Sequence, residues 1–164
     1  MTNQARDERT ILASAIRAIR KMRRMSAAEV AQEMGIAPRT YEHMESGQGR
    51  YSYERLLRFC QATNCDVMAL MSCMILGNPD FAVRCANNRA MSVFLMAIGG
   101  LHEDLGPDFL LLEQRMLVNA AARAADDLKE YLAKRDVFAE RWLAERSASL
   151  DPLRRLFGKP DTAT

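Results

Sequence analysis

The chain has 164 residues and a mass of 18.5 kDa, room for one or two small domains with a genuine core. Its 23 Lys and Arg against 21 Asp and Glu leave a formal charge of +2, too little for a polyanion to be held by bulk charge, so any such contact must be local. No run of 18 apolar residues occurs, and the polar stretch Met1 to Arg9 has no export-type apolar core behind it, so no membrane partner and a cytoplasmic location are expected.

The charge is uneven. Residues 1–76 carry 11 basic and 8 acidic side chains, a net of +3, whereas residues 77–164 carry 12 and 13, a net of −1. A first helix is predicted from about Asp7 to Arg24, with Ile11, Leu12, Ala15, Ile16 and Ile19 on one apolar stripe. Arg17, Lys21, Arg23 and Arg24 lie off that stripe and read either as a solvated face or as partial contact with phosphates.

Ser26 followed three residues later by Glu29 is a capping box, so a second helix begins at Ala27. Val30, Ala31 and Met34 share its apolar face, and Ala31 is small enough for another helix to cross close by. Gly35 ends it, because glycine takes the left-handed conformation that a Cβ resists. Ile36 turns back to the core and Pro38 opens a third helix, at a position whose N–H has no partner in any case. That helix runs to about Ser46 and stops at Gly47, with Tyr41, Met44 and part of Glu45 inward and Pro38, Arg39, Thr40, Glu42 and His43 outward. Two short helices joined by a tight turn form the unit that places a helix in the DNA major groove, and Arg, Thr and His on its outer face suit base edges. Glu42 sits less well there, since a carboxylate near phosphates needs Arg39 or a cytosine amine as partner.

With these residues in register, residues 10–76 resemble the Cro/C1-type helix-turn-helix domain, the XRE family of phage and bacterial repressors. The resemblance implies an all-α fold, a five-helix lambda-repressor-like DNA-binding domain. In it Arg20 and Glu45 form a partly buried structural ion pair, and Met25, Val30, Met34 and Ile36 fill core positions. Leu56 to Asp66 is similar to the family's fourth helix and the turn into the fifth, with Asn64 where glycine is usual and Cys65 in place of valine. By the same resemblance Pro38, Arg39, Thr40 and His43 face bases, while Ser26, Ala27, Gln48, Gly49, Arg50 and Ser52 meet phosphates through backbone N–H groups and side-chain donors.

A fourth helix is predicted at Tyr53 to Thr63, and a fifth at Val67 to Leu76 with Asp66 as N-cap. Gly77-Asn78-Pro79-Asp80 breaks the pattern and marks the expected domain boundary, with Asp80 as cap of the next helix. Beyond it come a sixth helix from Phe81 to Ile98, a loop over Gly99 to Pro107, a seventh helix capped by Asp108 and running to Leu132, and an eighth from Arg135 to Ser147 with Val137, Phe138, Trp142 and Leu143 on one face. The expected division is a DNA-binding domain at 1–77, an all-helical dimerisation or partner-binding region of about three helices at 78–150, and a flexible tail at 151–164.

Palindromic operators need paired readers, since one recognition helix covers few base pairs and two heads must sit roughly 34 Å apart. The C-terminal helices are therefore assigned to homodimerisation, and the function to a sequence-specific transcriptional regulator of double-stranded DNA, a homodimeric repressor. The alternatives are a protein-interaction module and an antitoxin-like regulator whose last helices bind a protein partner. Methionines near the junction, among them Met68, Met71, Met74, Met91 and Met96, are read as core filling, ahead of a pocket or partner surface. Cys60, Cys65, Cys73 and Cys85 have no metal-type spacing and read as small buried apolar residues, a redox role for Cys60 and Cys65 being the alternative. His43 and His102 are far apart, no glycine-rich phosphate loop or nucleophile-base pair occurs, and so no metal, no cofactor and no enzymatic activity are expected.

Overall fold

The structure, a computed structural model, describes residues 3–156 and is all-helical over them, with no strand. The helices are α1 (Asn3–Met22), α2 (Ala27–Glu33), α3 (Pro38–Glu45), α4 (Tyr53–Thr63), α5 (Val67–Ile75), α6 (Pro79–Cys85), α7 (Ala90–Leu105) and α8 (Gln114–Leu156), with a 3-10 turn at Gly106–Leu111. Two compact units result, Met1–Gly106 and Pro107–Thr164. None of the helices among the described residues is long and apolar enough to cross a membrane.

The first unit is built around α1, which packs on α3, α5 and α6. Leu12, Ile16 and Ile19 of its stripe are fully buried against Val30, Tyr41, Met44, Phe59 and Leu70. Each such aliphatic side chain contributes about 1.5–3 kcal/mol by leaving water. Tyr41 and Phe59 stack with ring centroids 6.4 Å apart, which ties α3 to α4. All four cysteines are free and buried, and burial pushes the Cys73 thiol up to about 11.

The basic residues expected on the first helix do not form one solvated or phosphate-facing set, and Arg23 and Arg24 lie in the turn beyond its end at Met22. Arg23 donates from Nε to the Thr63 carbonyl and from Nη2 to the Asn64 carbonyl, each at 2.7 Å, closing the C-terminal end of α4, where Asn64 adopts φ +48°. Arg17 donates to the Glu45 carbonyl at 2.9 Å. Lys21 and Arg24 are exposed.

The chain does not leave the first unit at Gly77. That glycine, at φ +64°, turns the backbone so that α6 folds back onto α1 and α5, burying Ala82, Cys85 and Ala86. The N-cap of α6 is Asn78, whose side chain accepts from the Asp80 N–H at 3.0 Å, so Asp80 lies inside the first turn instead of capping it. The expected single helix 81–98 is two helices. Arg89 takes φ +52°, its guanidinium donates to Asn64 Oδ1 at 2.6 Å, and Asn88 Oδ1 accepts from the Ala90 N–H at 3.0 Å. The expected loop at Gly99–Gly100 is helical, and α7 ends only at Gly106, ahead of Pro107.

In the second unit Asp108 lies in the 3-10 turn and caps no α-helix. The two helices expected at 108–132 and 135–147 are one 43-residue helix, α8, because Ala133 and Lys134 between them are good helix formers. Lys134 pairs with Glu130 at 2.6 Å across that junction. Of the tail expected to be flexible, residues 151–156 belong to α8, and residues 157–164 lie outside the described part, as do the side chains of Phe138, Trp142 and Leu143.

Candidate nucleic-acid interface

The geometry of the site begins with the cap of α2. Ser26 Oγ accepts from the Glu29 N–H at 3.2 Å and Glu29 Oε2 accepts from the Ser26 N–H at 2.6 Å. These bonds hold the Glu29 carboxyl below the usual range. At the other end Gly35 sits at φ +64° and the Ile36 N–H reaches the Ala31 carbonyl at 3.0 Å, so the chain reverses within three residues and α3 starts at Pro38.

Helix α3 is held by its inner face. Tyr41, Met44 and Glu45 are buried, whereas Pro38, Arg39, Glu42 and His43 are exposed and Thr40 is half-buried. Arg20 donates to Glu45 Oε1 from Nε at 3.0 Å and from Nη2 at 2.8 Å, and its Nη1 donates to the Met25 carbonyl at 2.9 Å. One guanidinium thus joins α1, the α1–α2 turn and the end of α3. Arg17 adds a second contact to Glu45, at 3.9 Å. The Tyr41 hydroxyl lies beside this pair, with its pKa raised by burial and by the Glu45 charge, and finds no hydrogen-bond partner among the described residues.

The segment after α3 is fixed to it. The N–H groups of Gln48 and Gly49 both donate to the His43 carbonyl, at 3.0 and 2.8 Å, and the Tyr51 hydroxyl donates to the Met44 carbonyl at 2.6 Å. A Cβ on Gly49 would lie 3.0 Å from the Met44 nitrogen and 3.1 Å from the His43 carbonyl carbon, so only glycine permits this approach without displacement. Among the positions read as phosphate contacts, the backbone donors of Ser26, Gln48 and Gly49 are therefore engaged within the protein. The groups remaining outward there are the side chains of Gln48 and Arg50 together with the hydroxyls of Ser26 and Ser52, all four residues exposed, while Ala27 is half-buried in the first turn of α2. Ser52 Oγ also caps α4 by accepting from the Arg55 N–H at 3.3 Å.

Beside the turn between α2 and α3 lies a cleft of about 430 Å³ lined by Ile36, Arg50, Ser52, Glu54, Arg55 and Arg58. Arg55 donates to the Arg50 carbonyl at 2.9 Å, and Arg58 pairs with Glu54 at 2.6 Å. Tyr51, Arg55 and Arg58 were not among the residues singled out from the sequence. The spacing of Arg55 and Arg58, three apart on one helix and close behind Arg50, is the signal that marks them.

No curated protein and no solved structure matches the chain significantly. A family of DNA-binding domains found in transcription regulators, and not of enzymes, does match part of it. Over residues 16–70, a segment comprising the last third of α1, all of α2, α3 and α4, and the first turn of α5, the sequence matches the family model described as Helix-turn-helix, of the Cro/C1 type.

Proposed function

We propose that the protein is a sequence-specific reader of double-stranded DNA that regulates transcription in the cytoplasm as a homodimeric repressor on a palindromic operator. The observation that carries this reading is the presentation of α3. Its inner face is clamped by Arg20 and Glu45, and its outer face offers Arg39 and His43 to solvent next to a cleft lined by three arginines. Arg39 is the residue for a bidentate contact to guanine, with Pro38, Thr40 and His43 completing the base-facing surface. Arg50, Arg55, Arg58, Gln48, Ser52 and Ser26, with the first turn of α2 at Ala27, supply phosphate contacts that set register and carry no sequence information. The C-terminal helices pair two such heads.

A second reading concerns the second unit, in which Met116, Leu117, Leu128, Tyr131 and Leu132 along α8 are all exposed. They favour an antitoxin-like regulator whose long helix caps a protein partner, and co-purification of such a partner from native cells distinguishes it. DNA reading is tested by mapping bound sites through crosslinking, then measuring affinity for the recovered operator and for random duplex at several salt concentrations. Operator preference with a steep fall in affinity as salt rises is expected. Equal, salt-independent affinity, or none, overturns the reading.

A further inference from the structure

Two of the four thiols face each other across a turn. At the end of α4 Asn64 takes φ +48°, the Asn64 N–H donates to the Gln61 carbonyl at 3.4 Å, and the Cys65 N–H donates to the Cys60 carbonyl at 2.9 Å. This six-residue closure is the Schellman ending, which brings the side chains of its first and last residues together. Here those residues are Cys60 and Cys65, and their side chains share a hydrogen bond with Cys60 as donor. Two thiols in such contact have the proximity that a disulfide requires.

The two sulfurs are not equivalent. The bond from Cys60 favours the Cys65 thiolate, and so do the Thr63 hydroxyl, 3.3 Å from the Cys65 sulfur, and the charge of Arg23. Together they outweigh burial and the Asp66 carboxylate and hold Cys65 below the usual thiol range, while the donor bond and burial push Cys60 up. The Thr63 hydroxyl also bonds the Phe59 carbonyl at 2.7 Å and can turn its proton to the sulfur when that sulfur ionises. Arg23 is fixed in place by the Thr63 and Asn64 carbonyls.

The pair is also within reach of a small reagent. Cys60 and Cys65, with Leu57, Asn64, Arg89 and Ser92, line a cleft of about 310 Å³, and each keeps a little exposed surface, 4 and 7%. Arg89 is held in the wall by its bond to Asn64. Cys73, in contrast, is fully buried, donates to the Leu70 carbonyl at 3.0 Å and is pushed up to about 11, and burial raises Cys85 as well.

We propose that Cys60 and Cys65 form a two-electron redox site that a hydroperoxide converts to an intrachain disulfide. The Cys65 thiolate attacks the terminal peroxide oxygen, the O–O bond breaks, and the other oxygen leaves as an alcohol, or as water from hydrogen peroxide, on taking up a proton. Cys65 is then a sulfenic acid, oxidised by two electrons as the peroxide is reduced by two. The Cys60 sulfur attacks it, its proton goes to the departing hydroxide, and the products are a disulfide and water. The turn so closed is the one from which Asn64 holds Arg89 and Asp66 holds Ser92, at the root of α7. The inference does not rest on DNA reading, and its test involves no DNA.

The reduced full chain is treated with hydrogen peroxide, and in a second series with cumene hydroperoxide, then alkylated under denaturing conditions. Free thiols should fall from four to two, and the monomer should become lighter by two hydrogens. Trypsin releases residues 59–84 as one peptide holding Cys60, Cys65 and Cys73, which should then carry a single alkyl group, on Cys73. Cys73 and Cys85 should react at least about 10-fold more slowly than the pair. Cys60→Ala should accumulate a sulfenic acid on Cys65, trapped as a dimedone adduct, and Cys65→Ala should form neither adduct nor disulfide. Cys73→Ala/Cys85→Ala should oxidise as the wild type does. A native chain that keeps four thiols while the urea-unfolded chain loses them overturns the proposal. So does a link from Cys60 or Cys65 to any other cysteine, or equal oxidation of all four. The wild-type thiol count and peptide map decide the matter even if a single variant fails to fold.

Discussion

The carboxylate of Asp66 closes the N-termini of two helices at once, reaching the second through Ser92. Its Oδ1 accepts from the N–H groups of Met68 and Ala69 at 2.9 and 3.3 Å, in the first turn of α5, and from the Ser92 hydroxyl at 2.6 Å. Its Oδ2 accepts from the Ser92 N–H at 3.1 Å, in the first turn of α7. Burial alone would raise the Asp66 pKa, but the bonds from Ser92, Ala69 and Met68 outweigh it and hold the group below the usual range.

Asp66→Ala should therefore destabilise the first unit by about 3 kcal/mol, the sum of a lost cap and lost charge-assisted bonds in a buried place. The sign of the shift fixes the pH dependence. With the folded pKa below the unfolded value of about 3.9, the stabilisation is fully present above that value and is lost as pH falls through the folded pKa. Denaturation midpoints measured between neutral and acid pH should show a steeper acid loss for the wild type than for Asp66→Ala. Parallel curves would show that Asp66 is not held as described.

Removing the other shared carboxylate acts on the recognition helix. Glu45→Ala leaves the Arg20 guanidinium, largely buried, with only the Met25 carbonyl as partner, and a broken pair of this kind costs about 3 kcal/mol. Thermal unfolding should show the loss. Arg20→Ala should give a similar value and the double variant much less than the sum, because each single change breaks the same pair and strands its other member, whereas the double change strands neither. Additive single effects would mean that the two residues act independently.

Tyr41 behaves differently. Its ring is fully buried and stacked on Phe59, but its hydroxyl is enclosed without a hydrogen-bond partner among the described residues. Tyr41→Phe keeps the ring and removes the enclosed polar atom, so the melting temperature should hold or rise, whereas Tyr41→Leu should lower it through lost stacking. A fall of several degrees in Tyr41→Phe would reveal a bond from the hydroxyl, to Arg20 or to water.

The first half of the fold was legible because its signals are local. Ser26 with Glu29, Gly35, Pro38 and Asp66 each settle a helix end within three residues, and these residues account for both ends of α2 and for the starts of α3 and α5. The features that were missed depend on contacts distant in sequence. The break between α6 and α7 contains neither glycine nor proline, and Arg89 adopts φ +52° in a bond to Asn64, 25 positions earlier. Gly99 and Gly100 read as a loop because two adjacent glycines usually mark one, yet helical neighbours on both sides carry α7 through them. In the site, helical periodicity was enough to place the outward positions of α3. The use of the Gln48 and Gly49 N–H groups by His43, and of Tyr51 by Met44, required the loop's path.

The division of labour at the interface is the remaining prediction. Arg39 is exposed in the first turn of α3, on the surface proposed above to face bases, while Arg50 lies in the segment braced by Gly49 and Tyr51, beside Arg55 and Arg58. Arg39→Ala should reduce the preference for operator over random duplex by about 10- to 100-fold, equivalent to roughly 1–3 kcal/mol, with little change in nonspecific affinity. Arg50→Ala should weaken operator and random duplex alike and reduce the salt slope by about 1, as expected for one lost phosphate contact. Titrations of both variants on both duplexes at several salt concentrations separate the roles. If Arg50→Ala changed preference and Arg39→Ala changed only the salt slope, the helix would meet DNA in another orientation, with the arginine cleft toward the groove. Wild-type behaviour in both variants would remove this face of α3 from the interface altogether.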